Sequence, residues 1–268
     1  MSECLVSFLV PIREAPETTL TSLFSIKDNS SDNIDYEILI RFDEDDETFA
    51  TLIPKITEMF EGTRGEVKII IGPRFGYQGL HHYYNELAAL SKGKLLFLWN
   101  DDVQILPVKA GWEVTGYSVD MPTFERWDEI LQQDEDNREP HIHVLTPTEV
   151  YWDLPEPGPD VKYHKQITTM AFPILTREAY EVMGHFSHSP LNDAYLLDLS
   201  TLRLDGKFIR KRCRINLLHQ PDSDEKGASF RLRTPEYAEA FHTHYSDEVS
   251  AHCEEARRKL HQHWLEKH

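Results

Sequence analysis

Cysteine is scarce, and the three that occur, Cys4, Cys213 and Cys253, lie far apart in a chain of 268 residues. An odd number at such spacing excludes a disulfide framework and a zinc knuckle, and the expected home is a reducing cytosol. Long apolar runs are missing too. No stretch approaches the ~18 to 20 apolar residues of a membrane span. The opening MSECLVSFLVPIRE is apolar only from Leu5 to Val10 and lacks the basic start of a signal peptide. The expectation is a soluble, cytoplasmic protein with no transmembrane segment. Positive charge is in deficit: 28 Lys and Arg stand against 46 Asp and Glu, a formal net charge of −18. Such a surface repels polyanions, so long-range steering toward DNA or RNA is not expected. The local exception is the run Lys207, Arg210, Lys211, Arg212 and Arg214, which reads either as a solvated edge strand or as a contact for an anionic acceptor. Internal repeats and low-complexity segments are absent.

What remains is ordinary globular composition, with 40% hydrophobic and 28% charged residues. The length fits one large α/β domain or two small ones. Short apolar runs alternate with helical stretches: strands are expected at Leu5–Val10, Glu37–Ile40, Val67–Ile71 and Leu95–Trp99, and helices at Thr18–Ile26, Phe49–Phe60 and Leu80–Leu90. The strands are continuously apolar, each followed by a helix, which implies a parallel sheet covered on both faces, a doubly wound α/β half-domain. Further on, a charged helix and solvated loop are expected over 120–140 and a proline-rich turn over Glu156–Asp160. Ile167–Leu175 reads as a strand. Helices are expected at Arg177–Met183, with Gly184 as C-cap, and Asn192–Leu199, and one or two more over Pro235–His268.

Ligands of doubly wound sheets sit beyond the C-terminal strand ends. The residues there are Pro11-Ile12-Arg13, Asp43-Glu44-Asp45-Asp46, Gly72-Pro73-Arg74 and Asn100-Asp101-Asp102. Adjacent carboxylates at a strand tip suit a hard divalent ion such as Mg2+ or Mn2+ that bridges to a diphosphate; the alternative is a solvated Asn-Asp turn. The Asp43–Glu47 run carries the same ambiguity, since acidic runs are commonly solvated faces. Arg74 and the Gly76-Tyr77-Gln78-Gly79 turn either approach donor phosphates, with glycine permitting close backbone contact, or form a tight loop with an exposed ion pair. Tyr83, Tyr84, Trp99 and Trp112 read as packing residues. The pairs His141/His143, His242/His244 and His261/His263 lack a neighbouring carboxylate or Cys in sequence and read as surface residues.

The order VSFLVPIRE, EILIRFDEDD and GYQGLHHYYNELAALSKGKLLFLWNDDV resembles the nucleotide-binding half of GT-A glycosyltransferases of the large inverting family 2 type, with Asn85, Gly93 and Phe97 at the family's positions. TMAFPILTRE through Gly184-His185-Phe186 is similar to the family's strand, Arg-bearing helix and Gly-Gly-Phe turn. Asn192-Asp193-Ala194-Tyr195-Leu196 resembles its Glu-Asp helix start, and Arg214–His219 its late strand ending in a metal-binding His. The resemblance implies a GT-A domain over 1–220, divided into a nucleotide-sugar half (1–103) and an acceptor-side half (104–220), with a helical extension over 221–268. It implies an Mn2+- or Mg2+-dependent inverting transferase using a nucleotide-sugar donor, a UDP-sugar, and an acceptor hydroxyl on a glycan, lipid-linked sugar, protein or modified nucleobase.

By the same resemblance Asp193 is the catalytic base, with an N-cap as its structural alternative. Pro11, Arg13, Asp43, Asp45, Arg74, Gly79, Asn85, Asn100 and Asp101 bind donor, Asp43 facing the base, and Asp102 and His219 bind metal. A histidine such as His219 otherwise reads as structural or exposed. Asn192 stands where the family has Glu, His185 where a second Gly is common, and the acidic turn lacks Gly-Ser. Two other readings follow: a GT-A-like module that binds nucleotide or sugar without turnover, and a nucleotidyltransferase. Against the second, Val10–Ala15 lacks the Gly-rich, basic loop such enzymes begin with.

Overall fold

The computed structural model describes residues 4–14, 16–30, 34–105, 131, 136, 139–151, 165–167, 172–219 and 235–267. The proline-rich turn at 156–160, Trp112 and most of 120–140 lie outside them. Strand and helix alternate as the apolar runs dictate: β1 (Val6–Ile12), α1 (Pro16–Asp28), β2 (Tyr36–Asp43), α2 (Phe49–Phe60), β3 (Gly65–Gly72), α3 (Leu80–Leu90) and β4 (Leu95–Leu98). They are followed by β5 (Val103–Ile105), β6 (Val144–Tyr151), β7 (Lys165–Ile167), β8 (Ile174–Thr176), α4 (Arg177–Met183) and α5 (Asn192–Ser200). The chain continues through β9 (Arg203–Leu204), β10 (Lys207–Phe208), β11 (Arg210–His219), α6 (Pro235–His244) and α7 (Asp247–Lys267).

The main sheet runs β3-β2-β1-β4-β8-β6-β11-β5, with β7 paired to β6, while β9 and β10 form a separate hairpin. Pairing is parallel from β3 to β4. It turns antiparallel where β8 meets β4 and β6, and is parallel again between β6 and β11. The chain steps outward from β1 to β3 and then returns past both to place β4 beside β1. Right-handed connections therefore put α1 and α2 on one face and α3 on the other. The order reverses between β1 and β4, and the crevice at such a reversal is where ligands of open α/β sheets bind. Every residue of β2 and all but Pro11 of β1 are buried, as continuously apolar central strands require. The edge strand β3 departs from that expectation: it is half-buried throughout, and Ile71 is exposed.

The expected Ile167–Leu175 strand is two strands, β7 and β8; both pair with β6, and β8 pairs with β4 as well. Pro173, which cannot donate to a ladder, stands just before β8. Gly184 takes the left-handed conformation at the end of α4 (φ 80°), as a glycine C-cap does. All three cysteines are buried and free; burial pushes the Cys4 thiol up to about 12 and that of Cys253 to about 11, so neither is a reactive thiolate at neutral pH.

The end of the sheet opposite the crevice is locked by a buried carboxylate. Glu37 accepts from Ser7 Oγ at 2.6 Å, Lys68 Nζ at 2.7 Å and the Lys92 and Gly93 N–H groups at 2.5 and 3.2 Å. Burial opposes its ionisation, but these donors outweigh it and hold its pKa below the usual range. Only glycine fits at 93, because a Cβ there would lie 2.5 Å from Ser7 Oγ and 2.7 Å from Ser7 N.

Candidate active site

At the crevice end, Trp99 follows β4 in full burial, in edge contact with Phe8 and Phe97 at 5.3 and 5.1 Å. Its indole donates to Ser22 Oγ (2.8 Å), and Ser22 donates to Asn100 O (3.1 Å). Behind the next turn lies Tyr84 of α3, fully buried, whose hydroxyl reaches Trp99 O (3.1 Å) and Asn100 Oδ1 (2.8 Å). Asn100 is thereby held by its side chain and its backbone, and Asp101 and Asp102 follow half-buried on a fixed base. Burial drives the Tyr84 phenol well above its ordinary pKa, and the carboxylates of Asp101, Asp193 and Asp102 add to it in that order. Residues nearly a hundred positions apart in sequence thus converge on one phenol. The β11 register sets His219 opposite Val103, one residue beyond Asp102; the description of His219 stops at its backbone.

Asp193 lies in the first turn of α5, half-buried. The N-cap position belongs to Leu191, which makes no side-chain cap bond. The capping alternative is therefore corrected: the cap is the residue two before it, and Asp193 lies in the favourable field of a helix N-terminus. The preceding loop is tied to α3 by Asn85, whose Oδ1 accepts from Phe186 N (2.6 Å) and Ser187 N (3.2 Å) while its Nδ2 donates to Ser187 O (2.7 Å). That amide fixes the approach to Asp193.

The acidic turn after β2 is divided in its uses. Asp46 is buried and accepts from Thr48 N and Oγ1 and from Glu14 N at 2.7 to 3.0 Å, which holds Glu14 in a left-handed conformation (φ 53°). That bend aims Arg13 at Asp43 Oδ2 (2.9 Å) and Asp45 Oδ1 (3.0 Å), and the two carboxylates raise its pKa. Asp43 is buried and also accepts from Tyr83 OH at 2.7 Å. Asp45 is half exposed, held by Arg13, with Arg74 3.8 Å away. The solvated-face alternative thus fits Glu44 and Glu47, which are exposed, and fails for Asp43 and Asp46. Pro11 lies in β1 beside Arg41, and Gly79 closes on Phe75, whose Cβ would be 2.7 Å from any Cβ at 79.

Sequence reasoning missed Arg41. Its side chain is fully buried at the end of β2, where Nε donates to Glu86 Oε2 (2.8 Å) and the Nη atoms donate to Phe42 O, Gly72 O and Pro73 O. Its plane faces Phe75 and Tyr83 at 5.7 and 5.3 Å. One guanidinium fastens the 72–76 loop that carries Arg74. A solitary Arg in EILIRFD gives no sign of this.

The C-terminal helices reach the same crevice. α7 buries Val249, Cys253, Ala256 and Leu260, and Lys259 donates to Met183 O at 3.2 Å. Gln78 Nε2 donates to Glu236 O (2.8 Å), and the Tyr77 and Tyr237 rings lie 6.5 Å apart. Burial and then the Asp193 carboxylate raise the Tyr237 phenol.

The surface reading of the paired histidines is corrected. His143 and His244 are buried, and His263 binds Glu178 at 2.7 Å. In a helix, residues two apart face nearly opposite ways, so one of a pair such as His242/His244 points inward. His244 joins Ser189 Oγ (2.9 Å) to Asp198 (3.4 Å); Ser189 is fully buried, so the chain is a bolt between α6 and α5. Beside it, His188 stacks on His252 and meets the tilted ring of His185, each at 4.0 Å. Burial, then the neighbouring histidines, lower His81 and His185 to about 4, and His188 and His244 are lowered too, His244 by burial. The unfolded chain therefore binds more protons than the folded one between pH 6.5 and about 4. Stability falls as pH drops through that window, each such histidine adding up to about 1.4 kcal/mol per pH unit. Melting temperatures across it check this, and His188→Gln flattens the slope; an unchanged slope would contradict the assignment.

No family model and no curated protein sequence matches the chain. Solved structures do. A mannosyltransferase, PcManGT from Pyrobaculum calidifontis in complex with GDP-Man and Mn2+, superposes with a TM-score of 0.57 at 9% identity, over 97% of this chain and 70% of that one. S. aureus TarS 1–349 gives 0.53 at 11% identity over 98% and 71%, and its complex with UDP gives 0.51 at 12% over 97% and 72%. None of the described helices is long and apolar enough to cross a membrane. The sheet order, the strand-end carboxylates after β4 and these superpositions agree: the chain has the GT-A fold of nucleotide-sugar glycosyltransferases.

Proposed function

We propose that the chain is a metal-dependent inverting glycosyltransferase that moves a sugar from a nucleotide diphosphate, a UDP-sugar, to an acceptor hydroxyl. The observation that carries the reading is the placement of Asp101 and Asp102 directly after β4, at the point where the strand order reverses. The solved structures of this fold support it, since one holds GDP-Man with Mn2+ and another UDP.

The donor set fits a hard divalent ion: two neighbouring carboxylates on a rigid turn, with His219 one position away in register. Asp102 and His219 would hold Mn2+ or Mg2+, with Asp101 on the donor, and the ion when bound offsets charge on the departing diphosphate. Asp45 and Asp43, joined through Arg13, face the nucleobase, where a carboxylate accepts the uracil imide N–H that cytosine lacks. Arg74 and the Gly76–Gly79 turn border the phosphates. Asp193 takes the acceptor proton as its oxygen attacks the anomeric carbon from the face opposite the diphosphate, so the configuration inverts with no covalent enzyme intermediate. Asn85 keeps that carboxylate in place through the 186–187 backbone.

Calorimetry of UDP with and without Mn2+ tests the proposal. Affinity falls at least about tenfold on chelation and in Asp102→Ala, the loss of one charge-assisted contact. Equal affinity with and without metal would overturn the ion-bridged site.

A further inference from the structure

Four aromatic side chains run outward from the Gly76–Gly79 turn at the crevice. Tyr77 and Tyr237 are half-buried and in ring contact. Phe241 and Tyr245 continue at i+4 and i+8 from Tyr237, 44% and 64% exposed, with rings 4.7 Å apart. Residues at that spacing lie on one face of a helix, roughly 6 Å apart along its axis. The row flanks Ala240 and His244, the buried face of α6, so it borders the seam between helix and domain. The Gln78–Glu236 bond holds its inner end to the turn before α3. Exposed aromatics in such a row have no packing use of their own.

We propose that Tyr77, Tyr237, Phe241 and Tyr245 form the acceptor subsite for an extended, uncharged carbohydrate chain, which lies along α6 with its growing end at Asp193. The inference rests on the reading of Asp193 as base. Aromatic rings present flat apolar faces that the C–H faces of sugar rings cover, while sugar hydroxyls stay in water; a row of aliphatic residues would suit a buried helix instead. Spacing of one helical turn matches successive sugar units and exceeds what a single monosaccharide needs. Charge narrows the class further: Glu236, Asp247 and Glu248 are exposed near the two ends of the row, so a polyanionic acceptor such as a phosphate-linked polymer or nucleic acid is repelled.

The test uses neutral hexasaccharides built from glucose, mannose, galactose or N-acetylglucosamine, each against its monosaccharide, titrated into the full chain. The same preparations are titrated with UDP and Mn2+. At least one hexasaccharide binds at least tenfold more tightly than its monosaccharide, and Phe241→Ala and Tyr245→Ala each weaken it roughly two- to tenfold. Both positions are exposed, so these variants fold, and UDP affinity in them stays that of the parent. Binding of UDP but of no hexasaccharide, or hexasaccharide binding indifferent to both substitutions, overturns the subsite. So does concentration-dependent dimerisation that Tyr245→Ala abolishes while no glycan binds, which would assign the row to a second copy of the chain. Hexasaccharide binding that depends on Phe241, in a protein that binds no nucleotide, would uphold the subsite and overturn the transferase reading instead.

Discussion

Asp193→Asn lowers glycosyl transfer by about two to four orders of magnitude while nucleotide affinity and the fold survive. The asparagine has the same shape but cannot take a proton at neutral pH. Because Asp193 is in the first helical turn and Leu191 is the cap, the substitution removes no side-chain cap, and loss of the charge from the helix terminus costs about 0.3 to 1 kcal/mol. The catalytic and structural roles therefore separate cleanly in one variant. Melting temperature, UDP affinity and transfer rate are measured together. Full transfer by a folded Asp193→Asn protein would rule out the mechanism. A parent protein that binds UDP and transfers to no acceptor, including the hexasaccharides, would favour a binding module.

Arg41→Leu destabilises the protein by about 3 kcal/mol, chiefly by leaving buried carbonyl acceptors unsatisfied at ~1 to 3 kcal/mol each; the Glu86 side chain is 36% exposed, so solvent screens the loss of its partner. The substitution strands the carbonyls of Phe42, Gly72 and Pro73 and leaves Glu86 without its guanidinium. Arg41→Lys keeps the charge but loses the planar fork and the stacking on Phe75 and Tyr83, so it recovers only part of the loss. Urea midpoints of the three proteins decide the matter. A loss under ~1 kcal/mol for Arg41→Leu would mean that the 72–76 loop is held by something else. The double variant Arg41→Leu/Glu86→Leu, which removes both charges, is less destabilised than the single one if the unpaired Glu86 contributes to the cost.

The alternation of β1 to β4 with three helices was legible because continuous apolar runs of four to eight residues, punctuated by helical spacing, admit few arrangements. The acids after β2 and β4 followed from position, since strand ends of a doubly wound sheet face its ligands. Other parts depended on contacts that the local pattern does not encode. Arg41 is legible only once β2, β3 and α3 bring carbonyls, Glu86 and two aromatic rings around it. The inward turn of His143 and His244 depends on which helix or strand face meets the core. Tyr237 was hidden in a charged tail whose helices were expected but whose docking was not. Asn85 was legible as a position in the GT-A pattern, whereas its attachment to the Asp193 loop follows only from the placement of α3.

The hydrogen bond from Gln78 to Glu236 joins residues 158 positions apart, and this bears on the order in which the protein assembles. The β1–β2–β3 pairings join residues within about 30 positions of one another, so this half of the sheet can form as the chain emerges during synthesis. The aromatic row cannot, because the entropy of closing so long a loop is recovered only after α7 has docked on α4 and α5. A nascent or C-terminally clipped chain would then resemble a nucleotide-binding half without its acceptor wall, able to take up the donor before it can present anything to receive the sugar.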